Sequence, residues 1–228
     1  MAGEHERADA FTAEEARWAD RYGLLLLLIL VALVLTAANT TWLKIAAVIV
    51  QGSVVLFAFL AARVGRRAWR VAIVLVPFAV ILGIAGRLDD STPAEALAAV
   101  MNLVFPVAAI VALGRRIVVE PFVSSRTIIG LLCVYLLIGM TFAAAYITIA
   151  VVSGEPFFVQ TDDAQPVDFT YFSLVTLATV GYGDFTAANP MPRMLVAIEG
   201  LTGQLYLVTV VAVAVSRVRT RRDRTPEG

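Results

Sequence analysis

The chain is poor in the groups that carry out chemistry in soluble proteins. Its 228 residues hold one cysteine and one histidine. Cys133 lies inside an apolar run, so an intrachain disulfide is excluded and nothing reports on redox compartment. His5 stands alone in a polar N-terminus, which leaves no histidine cluster for a catalytic metal and no triad. Charged residues make up 16%, well below the roughly 25% of soluble domains. Acidic and basic residues balance at 18 each, so nothing argues for a nucleic-acid partner. Only one of the basic residues, Lys44, is lysine, an arginine bias that points to a GC-rich bacterial genome. These absences argue against an enzyme and against a soluble domain.

The chain is rich instead in apolar length. Hydrophobic residues are 60% of it. Five long apolar runs, about Tyr22–Ala38, Ile45–Ala62, Val71–Ala85, Ala96–Leu113 and Thr127–Val152, precede a sixth at Met194–Ser216. Each is near the roughly 20 residues that a helix needs to cross a bilayer. The expectation is an all-α integral membrane protein of the cell membrane. Ahead of the first run, Thr12 and Glu15 form a capping box and Trp18 and Tyr22 stand four apart. Residues 1–21 therefore read as a cytoplasmic segment with a short interfacial helix, against a disordered tail before Phe11. A signal peptide cleaved near Leu35–Ala38 is the rival reading of the first run, and the acidic flank before it argues against that.

Arginine and lysine set the orientation. With the N-terminus inside, 15 of the 18 basic residues are inside, and only Lys44, Arg87 and Arg193 are outside. Both termini are then cytoplasmic. The segment between runs five and six opens outward. It carries Glu155, Asp162, Asp163 and Asp168 and no lysine or arginine from Val152 to Asp184, which makes its mouth negative and favourable to cations.

Within that segment, Phe169–Ala178 is apolar and too short to span, so it reads as a re-entrant helix with Asp168 as N-cap. Its C-terminal dipole would direct partial negative charge at the adjoining loop. That loop reads Thr179-Val180-Gly181-Tyr182-Gly183-Asp184. On this motif the chain resembles the tetrameric potassium channels, whose selectivity filter is TVGYG. From about Arg126 to Ser216 it resembles their two-helix pore module: outer helix, re-entrant pore helix, filter, inner helix. With four helices ahead of it, the whole looks like a six-helix bacterial potassium channel.

The resemblance implies that backbone carbonyls of Thr179, Val180, Gly181 and Tyr182, in the loop closed by Gly183, replace the water of a potassium ion, with the Thr179 hydroxyl below them. Glycine at 181 and 183 permits the positive φ that turns successive carbonyls the same way. Val180 and Tyr182 side chains would point away from the ion into packing that braces the loop, and Asp184 stands at the pore mouth. One filter without an internal repeat cannot encircle an ion, so a homotetramer is implied. Potassium ions in the filter are the only bound species expected; no organic cofactor and no resident metal beyond K+ is. Membrane lipid and the other subunits are the expected partners. The domains are expected at 1–21 (N-terminal segment), 22–114 (peripheral helices), 115–126 (an inner-surface linker holding Ile117 to Ser125), 127–216 (pore) and 217–228 (basic tail).

The inner helix carries Gln204, Val208, Val211 and Val215 at steps of four, three and four, one helical face. By resemblance that face lines the cavity and its valine rings form a dewetting gate; packing between helices is the other reading. Gly203 falls at a hinge position of relatives, or serves close packing together with Gly200. Glu199 lies well inside the inner helix, where a carboxylate is costly. Hydroxyls of Ser173, Thr176 or a neighbouring subunit are expected to satisfy it, and it is a candidate to couple inner-helix movement to the filter.

Three features depart from familiar members. The fourth run holds no charge from Ala96 to Gly114, whereas a voltage sensor needs several arginines, each worth about 2.3 kcal/mol per 100 mV. Arg63–Arg70 reads as a loop cluster rather than a ladder. Few residues follow Ser216, so no soluble ligand domain is expected there. Tyr171-Phe172 stands where many relatives have tryptophans, and Phe172 cannot donate a hydrogen bond toward Asp184. The alternatives to a potassium channel are a poorly selective cation channel and a non-conducting sensor or assembly subunit that keeps the pore fold.

Overall fold

A computed structural model describes residues 21–37, 40–89, 92–119 and 125–222. The expected interfacial helix before Arg21 lies outside these residues. Among the described residues seven helices run in chain order: α1 (Arg21–Thr36), α2 (Thr41–Ala61), α3 (Arg66–Asp89), α4 (Thr92–Val119), α5 (Ser125–Ser153), α6 (Pro166–Leu177) and α7 (Pro190–Arg222). Among the described residues the only strand pairing is one antiparallel bridge, Phe158 with Ala187. The protein is all-helical. Among the described residues four helices have segments long and apolar enough to cross a membrane: Trp42–Ala61, Arg66–Ala85, Ala96–Ile117 and Ile128–Ser153. α1 is shorter over its described residues. α7, at 33 residues, extends about 50 Å at 1.5 Å per residue, more than the roughly 30 Å hydrocarbon layer.

Apolar stripes assemble these helices. Tyr22, Leu25, Ile29 and Ala32 recur at steps of three and four along α1 and are buried. They join Val54 and Ala58 of α2, Ala109 and Leu113 of α4, and Cys133 and Leu137 of α5 in one core. A smaller core ties α2 to α3 through Val55, Phe59, Ala72 and Val76. A third is largely aromatic. Tyr146 of α5, Phe157 and Phe158 of the following loop, and Phe169 and Phe172 of α6 pack with ring centroids 4.8 to 6.3 Å apart. This cluster seats the short helix α6 between α5 and α7.

Two sequence expectations change here. Ile117 is not part of an inner-surface linker: α4 continues through Val119, and Ile117 is buried in the first core beside Tyr22. Apolar contact with α1 and α5 favours helix over loop at this end of α4. The arginine cluster also divides. Arg63 sits in the turn with φ 51°, while Arg66, Arg67 and Arg70 occupy the first turns of α3. Arginine is a good helix former, and its long stem can carry the charge outward from an apolar helix.

Candidate functional site

The site is built on the C-terminal end of α6. This helix starts one turn earlier than the sequence suggests. Gln165 is its N-cap and Pro166 its first residue. Proline is preorganised there and has no N–H to leave unpaired. Asp168 is consequently not the cap but the third helical residue, and its Oδ2 accepts the Gln165 N–H at 2.7 Å.

At the other end, the last four carbonyls of α6 have no intrahelical partner by construction. All four are taken up. Leu174 O accepts Ala178 N–H at 3.0 Å, and Thr176 O accepts Thr179 N–H at 2.9 Å. Val175 O accepts both Val180 N–H, at 2.9 Å, and Gly181 N–H, at 3.4 Å. Leu177 O accepts the Tyr135 hydroxyl of α5 at 3.0 Å. α6 thus holds the start of the loop by its own orphan carbonyls, and α5 holds α6.

Over the next residues the backbone alternates in hand. Thr179, Gly181 and Gly183 have φ of 57°, 54° and 80°, and among the described residues Val180 and Tyr182 are not in the left-handed region. An extended strand points successive carbonyls to opposite sides; alternating hand turns them to the same side. The two glycines are legible in the sequence as left-handed positions. Thr179 is not, because a non-glycine residue resists this conformation and takes it here where its N–H is pinned to Thr176. Val180 and Tyr182 are 52% and 71% exposed, so within one chain these two side chains are largely uncovered.

The far end of the loop is tied down by Tyr171. Its hydroxyl donates to Asp184 Oδ2 at 2.8 Å. Phe172 has no group to make this contact; the neighbouring tyrosine supplies it, while Phe172 is buried in the aromatic cluster. Beyond Asp184 the chain doubles back against the α5–α6 loop. Ala188 N–H donates to Phe157 O at 2.8 Å, Val159 N–H to Thr186 O at 3.0 Å, and Asn189 to Glu155 at 2.9 Å. Of the acidic residues around the mouth, Glu155, Asp163 and Asp168 therefore also brace loops.

Behind α6 lies a buried polar junction. Glu199 of α7 is fully buried. Its Oε2 accepts the Tyr146 hydroxyl of α5 at 2.5 Å, and its Oε1 is hydrogen-bonded to Ser173 Oγ of α6. Ser173 Oγ also lies 2.7 Å from Gly139 O of α5. Of the two hydroxyls expected from the sequence, Ser173 is a partner and Thr176 is not used. Tyr146 is a partner that sequence reasoning misses. Its signal is the spacing of Tyr135, Gly139 and Tyr146, four and eleven residues apart on one face of α5, and that face meets α6 and α7. Gly203 lies one turn below Glu199. A Cβ there would stand 2.2 Å from Leu177 O. α7 runs unbroken through this point, so the structure gives close packing as the cause of this glycine. Gln204 and Val208 are exposed in the single chain. The side chains of Val211 and Val215 lie outside the described set.

A family model matches this same part of the chain. Residues 134–220, from α5 through most of α7, match a family model described as "Ion channel". An inward rectifier potassium channel, Kirbac3.1 of Paramagnetospirillum magnetotacticum, is 35% identical over 97 residues, covering 41% of this chain and 29% of that protein. The potassium channel K1 of Plasmodium berghei (strain Anka) is 35% identical over 68 residues, 30% of this chain and 3% of that protein. The chain thus spans under a third of the first relative and a small part of the second. The likeness is to ion channels and not to enzymes, and the family-model match falls on the α5–α7 unit.

Proposed function

We propose that this chain forms a potassium-selective pore as a homotetramer. The observation that carries the reading is the alternating-hand backbone at Thr179, Gly181 and Gly183, seated on the end of a short buried helix. Such a segment presents a column of carbonyl oxygens able to replace an ion's water. Non-helical backbone at membrane depth also requires a protein or water lining, and four copies around an axis supply both. Four-fold assembly further accounts for the exposed Val180 and Tyr182, which then pack against a neighbouring subunit. In this reading α1–α4 and α5–α7 form a six-span subunit with both termini cytoplasmic, in a bacterial membrane. Gln204, Val208, Val211 and Val215 line the cavity, and the valines narrow its inner end. α4 carries no charge from Ala96 to Gly114, so it is not a conventional voltage sensor. Glu199 fixes α5, α6 and α7 to one another and transmits movement of α7 to the filter.

The decisive measurement is the reversal potential of the purified chain in planar bilayers under potassium and sodium gradients. It is expected to follow potassium, with rubidium passing and sodium largely excluded. A reversal potential indifferent to exchanging potassium for sodium defeats the selectivity. Cross-linking that stops at dimers defeats the tetramer.

A further inference from the structure

Away from the pore, α2 ends at Ala61, the chain turns through 62–65, and α3 begins at Arg66. This turn faces the last turns of α4. Between them runs a groove of about 600 Å³, open to the surroundings. Its walls are apolar: Phe59 and Val64 on one side, Ala108 and Val111 on the other. Farther along α4 the same groove is lined by Arg115 and Arg116. Seven residues separate Ala108 from Arg115, about 10 Å at 1.5 Å per residue, so the lining passes from apolar to cationic along the helix. Arg66 and Arg67 are exposed on the first turn of α3, between the lining residues Gly65 and Ala68. That turn is also a helix N-terminus, whose dipole adds positive potential. None of the residues lining the groove is acidic.

We propose that this groove binds an anionic phospholipid. An acyl chain lies between Phe59 and Val111, and the headgroup phosphate is held by Arg115 and Arg116. The chemistry fits at both ends. An apolar cleft at a helix-bundle surface takes up a lipid chain without leaving polar groups unpaired. A guanidinium pairs with a phosphate through two parallel N–H bonds, which a zwitterionic headgroup offsets with its own cation. Basic clusters where membrane helices meet the aqueous phase select anionic lipid. The site is on α4, which packs along α5, so its occupant reaches the pore unit through one helix. The inference rests on the membrane placement of α2–α4 and not on conduction through the filter.

Trp69 follows the lining residue Ala68 in α3 and packs against the small core that contains Phe59, so it reports on the groove. The chain has three tryptophans, and Trp18→Phe with Trp42→Phe leaves Trp69 alone. This variant, full length and in vesicles, is titrated with brominated phosphatidylglycerol or brominated phosphatidylcholine while Trp69 fluorescence is read. The anionic lipid is expected to quench at roughly tenfold lower mole fraction than the zwitterionic one. Adding Arg115→Gln and Arg116→Gln is expected to remove that preference and leave the quenching by phosphatidylcholine. Ala68→Phe, at an exposed lining position, is expected to weaken quenching by both lipids. Equal quenching by the two lipids in the parent overturns the proposal, as does a preference unchanged by the double arginine replacement. Absence of quenching by either lipid also overturns it, since a protein segment or a second copy then covers the groove. Loss of potassium flux with the lipid preference intact counts against the pore and not against this site.

Discussion

The peripheral helices and the pore unit are held together in different ways. In the spanning segments of α2, α3 and α4 fewer than a third of residues are buried, against 44% in α5. The peripheral set is joined by apolar stripes of alanine, valine and leucine, which tolerate small shifts. The pore unit adds polar bonds between helices at successive levels: Tyr206 of α7 to Leu131 O at 2.6 Å, Tyr135 to Leu177 O, Ser173 and Glu199 across three helices, and Tyr171 to Asp184. Polar bonds are directional, and in an apolar medium a broken one is expensive. On the proposed reading, a region that holds backbone carbonyls in register gains from that directionality. A region that only surrounds it does not need it.

The largest effect is expected where, on the proposed reading, backbone conformation itself carries the function. At Gly183, with φ 80°, an alanine incurs about 1–2 kcal/mol of left-handed strain, once in each subunit of the proposed tetramer. Gly183→Ala should abolish potassium current while leaving tetramer assembly measurable by native mass spectrometry. Wild-type conductance in this variant would show that the loop is not the ion path.

Two glycines put the contrast between the regions to a direct test. Gly52 in α2 and Gly203 in α7 both sit at close helix approaches. A Cβ at Gly52 meets the Val80 Cγ2 at 2.6 Å, a side-chain methyl that can move, whereas a Cβ at Gly203 meets the backbone carbonyl of Leu177 at 2.2 Å. Moving that carbonyl disturbs the helix end that anchors Thr179 to Gly181. Gly203→Ala should cost about 3 kcal/mol, the upper end of overpacking, and reduce current strongly. Gly52→Ala should cost about 1 kcal/mol and leave selectivity unchanged. Melting curves together with single-channel records of both variants decide it, and equal effects would erase the distinction drawn between the two halves.

The sequence carries more of the pore unit than of its surroundings. The order of the helices, the short helix α6 and the glycine positions of the loop are legible, because apolar length and glycine are local properties. The features that escape it depend on how helices cross. Tyr146 lies within a long run of apolar and small residues, and only the approach of α7 shows that its hydroxyl meets Glu199. Asp168 looks like a cap because it precedes the apolar residues, yet Pro166 starts the helix earlier. Ile117 looks like linker because arginines precede it, yet burial against α1 keeps it helical.

A smaller effect is expected at the outer edge of the loop. The Tyr171–Asp184 bond is exposed, and such a bond contributes about 1 kcal/mol. Tyr171→Phe should leave ion selectivity intact and change the stability of the open filter by less than about tenfold, read as the rate at which current declines during sustained opening. A variant that no longer selects potassium over sodium would mean the bond sets the geometry rather than steadying it.

The smallest structural effect, and the most informative, is expected at Glu199. Ser173 Oγ has a single proton and lies within bonding distance of two acceptors, Gly139 O and Glu199 Oε1. If Ser173 donates to Gly139 O, the contact to Glu199 needs a proton from the carboxyl itself, while Oε2 still accepts from Tyr146. A glutamine matches that pattern: its amide N–H donates to Ser173 and its carbonyl accepts from Tyr146. Glu199→Gln should therefore fold and assemble like the parent, within about 1 kcal/mol. Glu199→Ala leaves Tyr146 and Ser173 buried without their partner, and should cost about 2–5 kcal/mol from the cavity and the lost bonds. The junction joins α5, α6 and α7 one turn above Gly203, where movement of α7 would reach the filter. With the fold preserved, Glu199→Gln isolates the proton from the packing. If its open probability and pH dependence match those of the parent, the carboxyl takes no part in coupling and only fixes the helices. If either changes while melting behaviour does not, the proton at Glu199 is part of the link between inner helix and filter.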